Sequence, residues 1–340
     1  MFTTNENADS FADMTFLVRA FQVSKMIEVA AALELADRVA EGAKPITVLA
    51  LEAGAEPTML LRLCRALSAF GIFAVDDAGN LCQTARSMHL RQASAPTLHH
   101  AARYYASPHI TASWAKLEHA VRSGESAFQS VYGMPKFDYL QTHPDEAALF
   151  DAFMRHSPED RHVAVVDAYD FSEAGLVVDI GGGNGALLAA ILAANPQVTG
   201  LLFDQTHVVS GAADTLELFA GRLTVMTGSF FQSVPAGGDV YSMSQVLHDW
   251  NDAHCLSILT NAHAAMRPRT RLLVIERLLD DQPGHSNPMT YLSDINMMVN
   301  LQGRERTFAE FTDLLTRSGF STPHVIRTRS SFSILETSRV

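Results

Sequence analysis

His248, Glu276 and Glu305 lie far apart in the chain, yet each follows or precedes a strand-like or helix-like run in a way that brings it to one edge of a sheet. A histidine beyond the carboxyl end of a parallel strand can act as a base near neutral pH. Flanking carboxylates can fix its tautomer and balance the charge it gains. Each residue also has a plainer reading. Glu276 could pair with Arg277 or an arginine of 304–306, Glu305 could serve a helix start, and Asp249 and Asp252 are good N-cap candidates for the helix after them. Three such groups at one ligand edge would be a less common accident than any one of them alone.

A second cluster concerns ligand binding. Val177-Val178-Asp179-Ile180 is an apolar run suited to a parallel strand buried on both faces, and Gly181-Gly182-Gly183-Asn184-Gly185 follows as a tight turn into a helix expected over 184–194. Amide groups at that helix start would point at whatever occupies the turn. The spacing is G-x-G-x-G, with Ala186 where the dinucleotide fingerprint has its third glycine, and the P-loop lysine is absent. Both NAD and ATP lose ground. Asp204 ends the next strand, 25 residues after Asp179, about where a ribose-binding acid belongs, although it could equally cap the following helix.

These residues need a scaffold. From Leu176 onward, strands are expected near 177–180, 200–203, 223–226, 239–243 and 271–275, with helices near 184–194, 207–218, 252–267 and 307–318. That alternation is a doubly wound α/β sheet. The runs 325–327 and 332–335 are close enough to form an antiparallel hairpin appended to it. Residues 169–175 are the nearest thing to a linker. Further upstream, 11–40 carries helical apolar spacing, and 46–84 reads as helix, turn, helix and hairpin, the pattern of a winged helix. Residues 101–165 are helical and rich in aromatic side chains, most of them core, some free to line a pocket for a flat ligand. The resulting division is 1–100, 101–165 and 166–340.

At 340 residues the chain is long for one core, and its 47% hydrophobic content with 18% charged residues is that of a soluble globular protein. No apolar run reaches the roughly 18 residues of a membrane span, and the first residues lack the order of a secretory signal, so a cytoplasmic protein without membrane association is expected. Three widely spaced cysteines indicate neither disulfides nor zinc. The net charge of −12 argues against nucleic acid as the main partner. Residues 1–100 hold 11 acidic against 8 basic side chains, so the winged helix reads as a dimerisation unit before a DNA reader.

His248-Asp249-Trp250-Asn251-Asp252, the turn at 181–185, and Gly303-Arg304-Glu305-Arg306-Thr307 together resemble the S-adenosylmethionine-dependent O-methyltransferases of the type that includes plant caffeic acid enzymes, the animal hydroxyindole enzyme and bacterial enzymes acting on phenazines and aromatic polyketides. The similarity spans nearly the whole chain. It implies a class I methyltransferase fold with a seven-stranded sheet, an N-terminal winged-helix domain and an intertwined homodimer. It further implies His248 as catalytic base flanked by Glu276 and Glu305, Gly181 and Gly183 near the methionine part of the cofactor, and Asp204 on its ribose. Ser229 and Phe230 stand where the family has an acid and a large apolar residue beside adenine. Ser244 and Gln245 stand where it often has a Lys or Arg that meets the cofactor. Asp249 and Asn300 match substrate-side positions, with Met154, Met297 and Met298 as pocket walls.

The expected activity is methyl transfer from S-adenosylmethionine, leaving S-adenosylhomocysteine, to a hydroxyl oxygen, phenolic by preference, of a small aromatic secondary-metabolite substrate. A phenol needs a base at neutral pH, a dry pocket helps charges that cancel, and no metal is called for. Rival readings are metal-assisted C-methylation of a keto acid, a relative that no longer transfers methyl groups, and a transcription regulator. Asn300, where a second histidine would be wanted, weighs against the metal version.

Overall fold

The computed structural model describes residues 9–156 and 161–340, and the chain divides into two compact units. Described residues of Met1–Thr111 and Asp145–Pro158 form the first, and those of Ala112–Pro144 and Glu159–Val340 form the second. Among the described residues no helix is long and apolar enough to cross a membrane.

The first unit begins with α1 (Asp9–Ala32). The C-terminal half of this helix packs Ala30 and Ala31 inward, Ala30 joining a core with Leu35, Leu49, Leu60, Leu67 and Leu81, while its N-terminal half leaves Phe11, Met14, Leu17, Val18 and Phe21 exposed. β1 (Lys44–Pro45) leads directly into α2 (Ile46–Glu52), and α3 (Pro57–Ala69) follows one turn later. Pro57 takes the first helical position, where its missing N–H costs nothing, and the Glu56 carboxylate caps the helix by accepting from Met59 N–H at 2.7 Å. β2 (Ala74–Val75) and β3 (Asn80–Cys82) form a hairpin around Asp76, which accepts from the Ala78 and Asn80 amides. With β1 they make a small antiparallel sheet in the order β1-β3-β2.

In the second unit, α4 (Lys136–Thr142) precedes the sheet. The sheet strands are β4 (Leu176–Ile180), β5 (Thr199–Asp204), β6 (Leu223–Thr227), β7 (Val240–Ser244) and β8 (Arg271–Leu279), followed by the two-residue β9 (Arg306–Thr307), β10 (His324–Arg327) and β11 (Phe332–Ser338). They run in the order β10-β11-β8-β7-β4-β5-β6, with β9 paired to the end of β8. Pairing is parallel from β8 through β7, β4 and β5 to β6, and antiparallel where β11 enters between β8 and β10. Because β4 neighbours both β5 and β7, the chain winds outward from it in both directions, and the crevice at its carboxyl end is the switch point of the sheet. α5 (Ala186–Ala194) packs Leu187, Leu188 and Ile191 on one face, and α6 (Asp252–Ala265) with α8 (Phe308–Arg317) packs Ile258, Leu259, Phe311 and Leu315 on the other.

Three expectations are corrected here. Residues 169–175 are no linker, because Tyr169, Phe171 and Ala174 are buried in the second unit's core and the Tyr169 hydroxyl donates to Glu336 at 2.8 Å. The helix after the glycine turn starts at Ala186, two residues later than expected, since Gly185 sits at φ +78° as its cap. Between β8 and β9 the chain forms α7 (Pro288–Asn300), which the expected elements did not contain.

Candidate active site

The strand β4 delivers its chain into Gly181 and Gly183, both at positive φ (69° and 61°), where only glycine is at ease. A Cβ on Gly181 would come within 2.8 Å of Val246. Gly183 N–H donates to Asp204 Oδ2 at 2.9 Å, and Gln205 N–H to its Oδ1 at 2.7 Å, so the end of β5 is tied across to the turn. Burial raises the Asp204 carboxyl above its usual range, opposed by those two amides. Beside it a cleft of about 400 Å³ is lined by Gln205, Thr206, His207, Gly228, Ser229 and Gln232. Phe230 packs next to it on Phe231 and Trp250.

Two buried acceptors near this turn make no hydrogen bond within the described residues: Asp179 Oδ2 and Gln245 Oε1. The other Asp179 oxygen accepts from Ser242 Oγ at 2.6 Å, and burial pushes the Asp179 carboxyl up to about 7. Gln245 follows Ser244, the last residue of β7, in a left-handed conformation with φ 55°. An orphaned carboxylate oxygen and an orphaned amide oxygen suit an ammonium donor, which fits an amino-acid-bearing cofactor. Sequence reasoning used Asp179 only as a ruler. Its strand position before the glycines was the available signal.

Where β7 ends at Ser244, its parallel neighbour β8 pairs through Ile275, so Glu276 is the first residue past the shared register. Glu276 Oε1 accepts from Leu247 N–H at 3.0 Å and His248 N–H at 3.3 Å, which fixes the short turn Leu247–Asp249. His248 Nδ1 lies 3.1 Å from Glu305 Oε1 and 3.7 Å from Glu276 Oε2. With both carboxylates facing it, Nδ1 is the protonated nitrogen. Ser293 of α7 donates to Glu305 Oε1 at 2.6 Å, and Glu305 N–H donates to Asp294 Oδ1 at 2.9 Å. On the other side of the ring, Nε2 is 3.4 Å from Asp249 Oδ1. One potential ligand atom from each of His248, Glu276 and Glu305 lies within 4.8 Å of the others, a spacing that could also hold a metal ion.

All of this is buried: His248 is 5% exposed, Glu276 0% and Glu305 1%. Burial by itself lowers the imidazole pKa, but Glu276, then Glu305 and Asp249, outweigh it and raise the ring to about 10. Burial lifts Glu276 to about 7 against the pull of His248. Glu305 resists its own burial through the His248 charge and the bonds from His248 and Ser293, and ends below its usual range. The base near neutral pH expected from sequence is thus an imidazolium at rest.

The plainer readings of Asp249, Asp252 and Glu305 are overturned. Asn251, not Asp249 or Asp252, caps α6, its side chain accepting from His254 N–H at 3.0 Å. Thr307 and Glu310 form the capping box of α8, which leaves Glu305 for the histidine. The arginine of this segment that is buried, Arg306, holds the turn by donating to the carbonyls of Leu247 at 3.0 Å and Trp250 at 2.8 Å and to Asp252 at 2.7 Å. Sequence reasoning missed that role, and it missed buried Lys136, whose charge reaches Asp249.

The substrate-side residues divide. Asn300 is buried and donates to Asn296 Oδ1 at 2.8 Å, and Asn296 Oδ1 also accepts from Trp114 Nε1 at 3.3 Å. Met297 is buried on the same helix, whereas Met298 packs toward Ala120, Ala127 and Val299. Met154 belongs to the first unit and is half-buried.

A switch-point cradle joined at one sheet edge to a buried histidine between carboxylates defines a group-transfer enzyme of the class I methyltransferase fold. Residues 114–321 match the O-methyltransferase domain family. The chain is 38% identical to the O-demethylpuromycin-O-methyltransferase of Streptomyces alboniger over 95% of this chain and 88% of that one. Its fold superposes on the mitomycin 7-O-methyltransferase MmcR with TM-score 0.92, at 32% identity, covering 98% of each chain. It also superposes on NcsB1 from neocarzinostatin biosynthesis, solved with S-adenosylmethionine and 2-hydroxy-5-methyl naphthoic acid, with TM-score 0.80 at 31% identity over 94% of this chain and 96% of that one. The chain belongs to this O-methyltransferase family, and its methyl donor is S-adenosylmethionine.

Proposed function

We propose that the protein methylates a phenolic hydroxyl of a small aromatic secondary metabolite, with His248 as general base and Glu276 and Glu305 as its charge partners. The observation that carries this reading is the 3.1 Å contact of Nδ1 with Glu305, which commits that nitrogen and turns Nε2 toward the opposite side. Gly181, Gly183, Asp204, Ser229, Phe230, Ser244 and Gln245 hold the cofactor in this reading, with Asp179 Oδ2 and Gln245 Oε1 as acceptors for its ammonium group. Bound there, S-adenosylmethionine supplies a methyl carbon made electrophilic by a sulfonium charge. Asp249, Asn300, Met297 and Met298 of the second unit are assigned to the substrate.

In the chemical step the substrate hydroxyl would give its proton to Nε2 of His248, and its oxygen lone pair would take the methyl group as the S–CH₃ bond breaks with its electron pair staying on sulfur, which leaves S-adenosylhomocysteine. Glu305 holds the Nδ1 proton, and both glutamates balance the imidazolium. Neutral imidazole with phenol holds the same number of protons as imidazolium with phenolate, and a ring that the carboxylates raise above the ordinary histidine value takes a phenol's proton more readily than a free imidazole does. The ring must first be free of its second proton. The sign follows: turnover rises with pH as His248 deprotonates, and the acid limb lies above the ordinary histidine value of about 6.5.

The test uses labelled cofactor and a panel of small phenols. His248→Ala is expected to bind cofactor as wild type does in calorimetry and to turn over roughly 10²- to 10⁴-fold more slowly. Full turnover by that variant refutes the base assignment. Chelator is expected to change nothing, and loss of activity with chelator moves the case to metal-assisted carbon methylation.

The first unit supports a winged-helix dimerisation role. Its helix pair and three-stranded sheet have the winged-helix order, it carries more acidic than basic residues, and α1 leaves an apolar face for a second copy. A homodimer that binds no nucleic acid follows, and genomic fragments are expected to show no mobility shift.

A further inference from the structure

The loops that follow β5 and β6 lie side by side. Their strands stay in parallel register to their last residues, Asp204 against Thr227, and Gly228 N–H donates to the Asp204 carbonyl at 3.0 Å. The cleft of about 400 Å³ lies between these two loops, one strand farther from the switch point than the end of β5. With the methionine part of the cofactor at Gly181 and its ribose on Asp204, the base extends away from the glycine turn along this cleft. Phe230 supplies a flat wall there, since a Cβ on Gly181 would meet its ring at 3.6 Å.

The groups that the cleft offers to the edge of a base can each donate or accept. Its six lining residues include no carboxylate, lysine or arginine. The Ser229 hydroxyl oxygen accepts from Phe231 N–H at 3.3 Å, which leaves its own proton to donate and a lone pair to accept. Gln232 N–H donates to the Ser229 carbonyl at 2.8 Å, a tight turn that brings both side chains to the same cleft. The exposed side chains of Gln205 and Gln232 make no hydrogen bond among the described residues, so nothing fixes which end of either amide faces the cleft. Adenine presents a 6-amino donor beside a bare ring nitrogen, and hypoxanthine presents the reverse, a 6-oxo acceptor beside a ring N–H. A carboxylate only accepts and therefore rejects the second base, whereas a hydroxyl and a rotatable amide answer either.

We propose that Ser229 and Gln232 make the base end of the cofactor site indifferent to the 6-amino group, so that the enzyme binds a 6-oxopurine form of its cofactor nearly as well as the adenine form. The proposal rests on the cofactor lying on Asp204 and the glycine turn, and not on His248 being the base.

Calorimetry on the full-length protein compares S-adenosylhomocysteine with S-inosylhomocysteine, which differ only in the 6-substituent and the ring proton that comes with it. A site built around a hydrogen bond to one group loses orders of magnitude when that group is replaced, whereas here the two ligands are expected to differ by no more than about tenfold. Ser229→Asp and, separately, Gln232→Glu are expected to widen the ratio by about tenfold or more, chiefly by weakening the inosyl compound, because a fixed negative charge then faces a carbonyl oxygen. Gln232 is exposed, so its variant keeps the test open if Ser229→Asp does not fold. Asp204→Ala is expected to weaken both ligands by the same factor, since the ribose is common to them. A wild-type preference for the adenosyl compound of about a hundredfold or more overturns the proposal, as does a ratio that neither acidic variant changes. If Asp204→Ala weakens neither ligand, the cofactor placement fails and takes the proposal with it. If Asp204→Ala weakens both and the base ratio still ignores the acidic variants, the proposal alone fails.

Discussion

Both oxygens of Asp204 already accept backbone amides, from Gly183 and Gln205, so the carboxylate is locked in direction before any ligand arrives. A fixed, half-buried carboxylate binds hydroxyls without a cost to order itself. Asp204→Ala is expected to weaken S-adenosylmethionine by roughly 1–3 kcal/mol in calorimetry, since it leaves buried hydroxyls and the Gly183 amide without an acceptor. Unchanged affinity removes the ribose assignment. At this scale His248, Glu276, Glu305 and Asp204 were legible because each sits where a strand or loop ends, and ends of parallel strands share one edge. Lys136 and Arg306 were not legible. Nothing in a sequence marks a lysine or arginine as buried, and only packing shows that Arg306 points at the carbonyls of Leu247 and Trp250.

The loop before β9 comes so close to the histidine turn that a Cβ on Gly303 would run into the backbone carbonyl of His248. That carbonyl cannot rotate aside as a side chain can. Gly303→Ala is therefore expected to push the 303–306 segment outward, separate Glu305 from Nδ1 and lower turnover by tenfold or more, with cofactor affinity at the glycine turn nearly kept. Wild-type turnover would show that the loop yields without moving Glu305. Arg306→Leu tests the same junction by stability: the Leu247 carbonyl keeps the Trp250 amide and the two carbonyls keep the weak Cys255 donor, but the charged donor is lost, with about 1–3 kcal/mol expected, read as a lower denaturant midpoint. Most strands were legible from apolar runs, but α7 was not, for a reason tied to its task. Its buried positions mix Thr290, Asn296 and Asn300 with Met297 and Val299, while Met289 and Leu292 are exposed, so the usual amphipathic pattern is blurred where the helix supplies polar groups to the site. Residues 169–175 misled in the opposite way, because Asp170, Ser172 and Glu173 alternate with the buried Tyr169, Phe171 and Ala174.

For the molecule as a whole, the feature without an internal explanation is the N-terminal half of α1, where Phe11 is 81% exposed, Phe21 70% and Val18 69%. Single exposed apolar residues are ordinary, but several along one helix form a contiguous patch of the kind that marks an interface. The occupant argued for is a second copy, because a self-complementary helix face closes into a twofold dimer and leaves no sticky surface behind. Nucleic acid is a poor candidate against a chain of net charge −12. Light scattering on the intact protein at micromolar concentration is expected to give twice the chain mass. Phe11→Asp combined with Phe21→Asp is expected to halve it, since two buried carboxylates with no partner oppose association far more than two lost contacts would. These residues lie outside both the core of the first unit and the cluster around His248, so the variant separates assembly from folding. A wild-type chain that scatters as a monomer ends the dimer reading. A double variant that stays dimeric moves the interface to another face.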